Sequence, residues 1–157
     1  MTVIVLATCN EQPAPAPGDP KTPIPVLPPS GTIASELTPL RFQETERVKA
    51  LRAELGKLVV APEEHILEDG DSLRILPCRF HGRATEIDTY NDHRMAMCFA
   101  ILGLKVPGIK IKNPACVKKT FPNFFQKLAA PPPHGLGATI LDAPSGRRLG
   151  VEELFAD

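Results

Sequence analysis

Tryptophan is absent from the sequence, and only 5% of the residues are aromatic. Proteins that bind single-stranded nucleic acid stack the bases on aromatic side chains, so this scarcity argues against such a role. The 18 basic and 18 acidic residues cancel each other. The chain therefore has no general attraction to nucleic acid or to an anionic membrane, and an anion would have to be bound by a local group of charges.

Long apolar runs and closely spaced cysteines are also missing. No run approaches the roughly 20 apolar residues that a membrane-spanning helix needs. The apolar start MTVIVLATC lacks the basic residues that precede the apolar part of a signal peptide. The four cysteines form no CxxC pair and no Cys/His spacing typical of a metal site. These absences predict a cytoplasmic protein with reduced thiols, no bound metal and no membrane contact.

Proline is abundant, and its distribution divides the chain. Eight of the 18 prolines lie in residues 13–29, where neither a helix nor a sheet ladder can be continuous. This predicts a flexible, Pro-rich N-terminal arm over residues 1–39; a linker and a PxxP ligand are the two alternatives. A second break, PPPHGLG (131–137), predicts a C-terminal appendage over residues 131–157, with a short strand, a turn and a brief helix.

Residues 40–130, between these breaks, alternate helical and extended patterns. Residues 44–58 predict a helix, because Val48, Leu51, Leu55 and Leu58 recur at helical spacing. Residues 65–76 predict a hairpin around Asp-Gly-Asp, and residues 84–88 and 106–112 predict strands. Residues 116–128 predict a helical stretch that Pro122 interrupts. The pattern favours a layered α/β fold.

A second helix is predicted for residues 91–104, with Asn91 or Asp92 as its N-cap. Its predicted inner side consists of Met95, Cys98, Ile101 and Leu104.

Each of the first two helices begins with an arginine one turn inside a polar start: Glu44-x-x-Arg47 and Asn91-x-x-Arg94. A helix N-terminus attracts anions, and an arginine can hold a phosphate or carboxylate by two parallel hydrogen bonds. Two such starts around one cleft would bind a small polyanion. The alternative is that Glu44 and Arg47 form a surface ion pair.

Other residues near these starts have open interpretations as well. Lys118 or Lys119 would add a positive charge to an anion site. His93 could be a catalyst or a structural hydrogen-bonding residue, and Asp92 could serve only as a helix cap.

Three motifs, in order, resemble a known family. LRFQETERVKALRAELGKL is followed by TYNDHRMAM and by NPACVKKTFPNFFQKLA, which together resemble the C-terminal part of EPSP synthase. The fold implied is part of a domain built from βαβαββ units. A related enzyme that acts on a UDP-amino sugar shares this fold type, but DHRMAM together with KTFP favours the shikimate branch.

The resemblance implies a transferase that moves enolpyruvyl from phosphoenolpyruvate to shikimate 3-phosphate, without metal or organic cofactor. It implies that Arg47, Arg94 and Lys119 bind phosphoenolpyruvate. It places Glu44 at the reacting carbon as a proton-transfer group, with Asp92 and His93 beside it. Catalytic roles are thus expected for Glu44, His93 and Lys119, and glyphosate is implied as a further ligand of the phosphoenolpyruvate site.

The sequence departs from the family on the shikimate side. Gln43 stands where the family has a lysine that contacts shikimate, and Pro39 stands where it has asparagine. The matched region is also only part of one domain of a two-domain enzyme. Two hypotheses therefore stay open: a short form of the enzyme, active alone or with a complementing chain, and a non-catalytic anion-binding or interaction module. A monomer is favoured over self-association.

Overall fold

The computed structural model describes residues 2–6, 31–33, 46–69 and 72–156. These residues form seven strands, four α-helices and two 3-10 helices within the described ranges. In chain order they are β1 (Thr2–Leu6), β2 (Gly31–Ile33), α1 (Arg47–Gly56), α2 (Pro62–His65), β3 (Ile66–Asp69), β4 (Ser72–Ile75), β5 (Thr85–Ile87), α3 (His93–Gly103), β6 (Ile109–Lys112), a 3-10 helix (Pro114–Lys119), α4 (Phe124–Ala129), β7 (Thr139–Asp142) and a 3-10 helix (Val151–Leu154).

The strands form two sheets. The larger sheet has the order β5-β6-β1-β7; β5 runs parallel to β6, and β1 is antiparallel to both β6 and β7. The smaller sheet has the order β2-β4-β3 and is antiparallel throughout. Helix α3 packs against the larger sheet, and α1 packs against the smaller one. This mixture of helices and sheets confirms the α/β fold class.

Apolar and polar side chains alternate along strand β6, so that one face of the larger sheet packs into the core. Ile109 and Ile111 of β6 are fully buried, whereas Lys112 is exposed. Ile87 of β5 is fully buried beside them. A period of two in side-chain direction is what an apolar–basic alternation such as IKIK produces in a strand. The predicted strands at 84–88 and 106–112 are therefore present in shorter form.

The structure also contains the predicted hairpin and helical segments. The hairpin at 65–76 is confirmed by the antiparallel pairing of β3 with β4. The predicted stretch 116–128 is divided into a 3-10 helix and α4, with Pro122 between them. Helix α1 buries Val48, and Leu58 is buried just beyond its C-terminal end; Leu51 and Leu55 are partly buried against the same core.

The predicted inner side of α3 is wrong for Cys98, which is exposed, and for Ile101, which is 55% exposed. Met95 is buried, and Leu104 is partly buried and packs against the core. Each three-residue step is about 60° short of a full helical turn, so the predicted stripe of side chains rotates around the helix and away from the core. The buried residues instead follow the true helical period: His93, Met95, Ala96, Phe99, Ala100 and Gly103.

Both ends of the chain contribute to the larger sheet. Within the range predicted as a flexible arm, β1 pairs on both sides, because a β-branched run such as TVIVL suits an inner strand. Residues 7–30, which include the Pro-rich segment, lie outside the described residues. In the range predicted as an appendage, β7 pairs with β1, and Ile140, Leu149 and Leu154 are buried in the main core. That segment is therefore packed into the fold, because its apolar side chains complete the core.

Candidate functional site

A buried ion pair joins helix α1 to the loop that precedes α3. Arg47 Nε donates to Asp92 Oδ2 at 2.6 Å, and the two side chains are only 9% and 0% exposed. An ion pair out of water is stable only when its geometry is good and its remaining polar atoms are satisfied. The contact therefore fixes the orientation of the Arg47 guanidinium relative to α3.

Asp92 is also the N-cap of α3. Its backbone is extended, and its Oδ1 accepts a hydrogen bond from the backbone N–H of Arg94 at 2.9 Å. Burial works against ionisation of this carboxyl, but the hydrogen bonds from Arg47 and from the Arg94 N–H outweigh it, and the pKa of Asp92 is lowered. The prediction of an Asp92 cap is confirmed. One carboxylate thus orients Arg47 and begins the helix that carries Arg94.

The structure brings several of the predicted site residues to this helix start. Arg47 and Asp92 are in contact, His93 is 7% exposed and Arg94 is exposed in the first turn of α3. Lys119 is exposed at the end of the 3-10 helix that packs against α3. Asn113, just before that 3-10 helix, donates to Asn91 Oδ1 at 3.3 Å.

Two predicted site residues, Gln43 and Glu44, lie outside the described residues. Their roles, like the substrate contacts of the other predicted residues, stay predictions. In the described part of the chain, no group of three or more His, Cys, Asp or Glu side chains could hold a metal ion. No helix in that part is both long and apolar enough to cross a membrane.

A second buried carboxylate, which the sequence-based prediction did not include, contacts the same loop. Glu54 is 0% exposed. Its Oε1 accepts from the Tyr90 hydroxyl at 2.8 Å, and its Oε2 accepts from the Asp88 backbone N–H at 3.0 Å and from Lys57 Nζ at 2.6 Å. The available signal was its spacing: Glu54 follows Arg47 by seven residues, which is about two helical turns, so both lie on one side of α1.

The environment of Tyr90, which includes this contact, raises its pKa. Partial burial, the hydrogen bond to Glu54 and the nearby carboxylate charges of Glu54 and Asp88 raise the pKa of Tyr90 to about 12. Asp88 shifts in the opposite direction: its pKa is lowered chiefly by the hydrogen bond from the Tyr90 N–H, with Lys112 contributing. The phenol is thus held in its neutral form, in which it can donate to Glu54.

The fold and the site define an α/β protein in which two buried carboxylates, Glu54 and Asp92, attach helix α1 to the start of helix α3. Arg47 and Arg94 belong to these two helices. The family model for EPSP synthase (3-phosphoshikimate 1-carboxyvinyltransferase) matches residues 13–128. The chain belongs to the EPSP synthase family.

Individual relatives agree with this family assignment. The chain is 51% identical over 90 residues to the 3-phosphoshikimate 1-carboxyvinyltransferase of Nostoc punctiforme, covering 56% of this chain and 19% of the relative. It is 44% identical over 98 residues to that of Trichormus variabilis, covering 62% and 22%. For Nitrosomonas europaea the identity is 48% over 93 residues, covering 57% and 20%. The chain thus matches about a fifth of the length of these curated relatives.

Proposed function

We propose that this chain provides the phosphoenolpyruvate-binding part of an EPSP synthase, which transfers enolpyruvyl to shikimate 3-phosphate in aromatic amino acid biosynthesis. One observation carries the proposal: Asp92 contacts Arg47 and caps the helix that begins with His93 and Arg94. Membership of the family supports the reaction class.

The geometry suits a small anion with a phosphate and a carboxylate. Arg94 lies in the first turn of the 11-residue helix α3, where backbone N–H groups and the helix dipole favour negative charge. Asp92 holds the Arg47 guanidinium by its Nε, which restricts the rotation of the arginine fork. Arginines held before the ligand arrives lower the entropic cost of binding and of aligning the reacting carbon.

The proposed reaction adds the 5-hydroxyl of shikimate 3-phosphate to C2 of phosphoenolpyruvate, while C3 gains a proton. Loss of phosphate and of a proton from C3 then restores the double bond. We assign proton transfer to Glu44, assisted by His93, because a carboxylate near a developing cationic carbon serves as both acid–base group and charge partner. Lys119 would contact the phosphoenolpyruvate anion from the adjacent 3-10 helix.

The acceptor side needs more than these residues. Gln43 is the proposed shikimate contact within the matched region, and the curated relatives are about five times the matched length. Turnover is therefore proposed for the chain together with a second segment that completes the acceptor site, either covalently joined or supplied by another chain. Glyphosate is proposed as a competing ligand of the phosphoenolpyruvate site.

The experiment is a titration of the purified chain with phosphoenolpyruvate, followed by a phosphate-release assay with shikimate 3-phosphate. Arg94→Ala is expected to weaken phosphoenolpyruvate binding by about tenfold or more, since a hydrogen bond between charged groups is worth roughly 1.5–3 kcal/mol. Arg74→Ala, which removes an exposed arginine on β4, is the matched control. Equal affinities for these two variants would refute the site.

Phosphate release decides between enzyme and module. Release that depends on Glu44 supports the transferase. Binding without any release, even when the missing segment is added as a separate chain, would favour the non-catalytic anion-binding module instead.

A further inference from the structure

The loop between β5 and α3 has a backbone conformation that needs support from outside the loop. Tyr90 and Asn91 have positive φ angles of 51° and 57°, which residues other than glycine rarely adopt. Two such residues in succession persist only where the surroundings hold them. The next residue is Asp92, so the position of the cap depends directly on this conformation.

Local hydrogen bonds supply part of that support. Asp88 Oδ1 accepts from the Tyr90 N–H at 2.8 Å, and the Asp92 N–H donates to the Thr89 carbonyl at 2.8 Å. These bonds shape the turn, but they cannot set where the turn lies relative to helix α1, because all four partners belong to the loop itself.

Glu54 of α1 supplies the longer-range support. It accepts hydrogen bonds from the Tyr90 hydroxyl and from the Asp88 N–H, through different oxygens of one carboxylate. Asp88 lies at the start of the turn and Tyr90 lies inside it, so a single buried side chain contacts the loop at two points. Together with the Arg47–Asp92 pair, two turns away on α1, it attaches the helix to both ends of the loop.

The chemical nature of Glu54 indicates a geometric role. Burial of a carboxylate carries a desolvation penalty, and an apolar residue of similar size often stabilises a fold as well or better. A carboxylate has a property that an apolar residue lacks, which is that it can accept several directional hydrogen bonds at once. Here it accepts three, from Tyr90, Asp88 and Lys57.

We propose that Glu54 is a positioning residue for the anion site: by holding the Asp88–Asp92 turn against α1, it sets the geometry in which Asp92 orients Arg47 and begins the helix of Arg94. The inference deepens the proposed phosphoenolpyruvate site and rests on it for its functional meaning. Glu54 acts through Tyr90 and Asp92 and has no proposed contact with the ligand.

Tyr90→Phe is the principal test, because it deletes one hydroxyl from a residue that is 41% exposed and should leave the fold intact. Glu54→Gln is the second variant. Lys57→Gln is the matched control. It removes the ion pair to Glu54 Oε2, the oxygen that also accepts from the Asp88 N–H, without removing a hydrogen bond to the loop. We expect Tyr90→Phe and Glu54→Gln to weaken phosphoenolpyruvate binding by about three- to tenfold, with Lys57→Gln within about twofold of the parent.

A ligand-free measurement separates the two proposals. The Arg47 Nε–H, which donates to Asp92, can be followed by nitrogen-15 NMR. Faster hydrogen exchange at this group in Tyr90→Phe and Glu54→Gln, but not in Lys57→Gln, supports positioning even if the parent chain binds no phosphoenolpyruvate, a result that would sink only the proposed function. Unchanged exchange in both variants, or an equal increase in the Lys57→Gln control, overturns the positioning role.

Discussion

Arg47 Nε lies 2.6 Å from Asp92 Oδ2, although 45 positions separate the two residues in the sequence. This contact links the two motifs that begin helices α1 and α3. Because neither side chain is appreciably exposed, removal of one of them would leave the other buried without this contact. We therefore expect the candidate site and the stability of the fold to depend on the same contact.

Asp92→Ala is expected to lower the free energy of unfolding by roughly 3–5 kcal/mol, because it leaves the buried Arg47 charge without this partner and removes the helix cap. Urea denaturation followed by circular dichroism measures the change. Lys49→Ala is the control: its exposed pair with Glu46 should contribute less than about 1 kcal/mol. Similar losses in the two variants would show that the Arg47–Asp92 pair is not buried.

Tyr90 should ionise with a pKa of about 12 in the folded chain. The sequence has one tyrosine and no tryptophan, so the ultraviolet absorbance of phenolate reports this residue alone. The folded-state pKa is above the ordinary value of about 10, so the interaction stabilises the fold fully below pH 10. That contribution is lost as pH rises towards 12.

Glu54→Gln provides the check on this assignment. Removal of the carboxylate charge should lower the pKa of Tyr90 from about 12 in the folded protein, although partial burial, the largest cause of the shift, remains. If the midpoint stays near 12 in Glu54→Gln, the Glu54–Tyr90 contact does not contribute to the shift.

The corrected face of helix α3 can be tested by truncation. Phe99→Ala should cost about 3–5 kcal/mol of unfolding free energy, because Phe99 is 1% exposed in the core. Ile101→Ala, two residues further on, should cost about 0.5 kcal/mol or less beyond its small change in helix propensity, because Ile101 is 55% exposed. Thermal denaturation of both variants measures these losses. A larger loss of stability for Ile101→Ala than for Phe99→Ala would show that Ile101 lies on the inner face of α3.

Glu153 should titrate with a pKa of about 2. Arg147 donates to both of its carboxylate oxygens, at 2.7 and 3.0 Å, and the Gly150 N–H adds a further bond. The pKa of Glu153 is lowered by these contacts, so any stabilisation exists above the ordinary glutamate pKa and disappears as pH falls towards 2. Carbon-13 NMR of the carboxyl group follows this titration.

Substitution of the arginines tests the cause of that shift. Arg147→Gln should raise the Glu153 pKa towards its ordinary value, whereas Arg148→Gln, at the neighbouring exposed arginine, should leave it near 2. If Glu153 still titrates near 2 in Arg147→Gln, the Arg147 contact is not the cause of the shift.

The sequence predicts the elements that have strong local signals. The IKIK alternation predicts β6, the Asp-Gly-Asp turn predicts the β3–β4 hairpin, and the polar residues before MAM predict the Asp92 cap. Each of these depends on neighbours within a few residues, so local patterns suffice. The family resemblance, now confirmed by the match over residues 13–128, came from three such local motifs in order.

The contacts that the sequence did not reveal are the long-range ones. Glu54 resembles any other charged helix residue until its partner Tyr90, 36 positions later, is known. The sequence does not specify the inner face of α3, because several apolar residues compete for it and only the packed sheet decides between Phe99 and Ile101. The pairing of β1 with β7 likewise depends on tertiary structure, since a short apolar run does not specify its neighbours.

Strand β1 lies between β6 and β7, with Val3 opposite Ile111 on one side and Asp142 on the other. During synthesis β1 is made before both of its neighbours, which follow it by more than 100 residues. Closure of such distant loops is slow compared with helix or hairpin formation. Strand β1 therefore has no hydrogen-bond partner until more than 100 further residues have been made, and the larger sheet is complete only once β7 has formed.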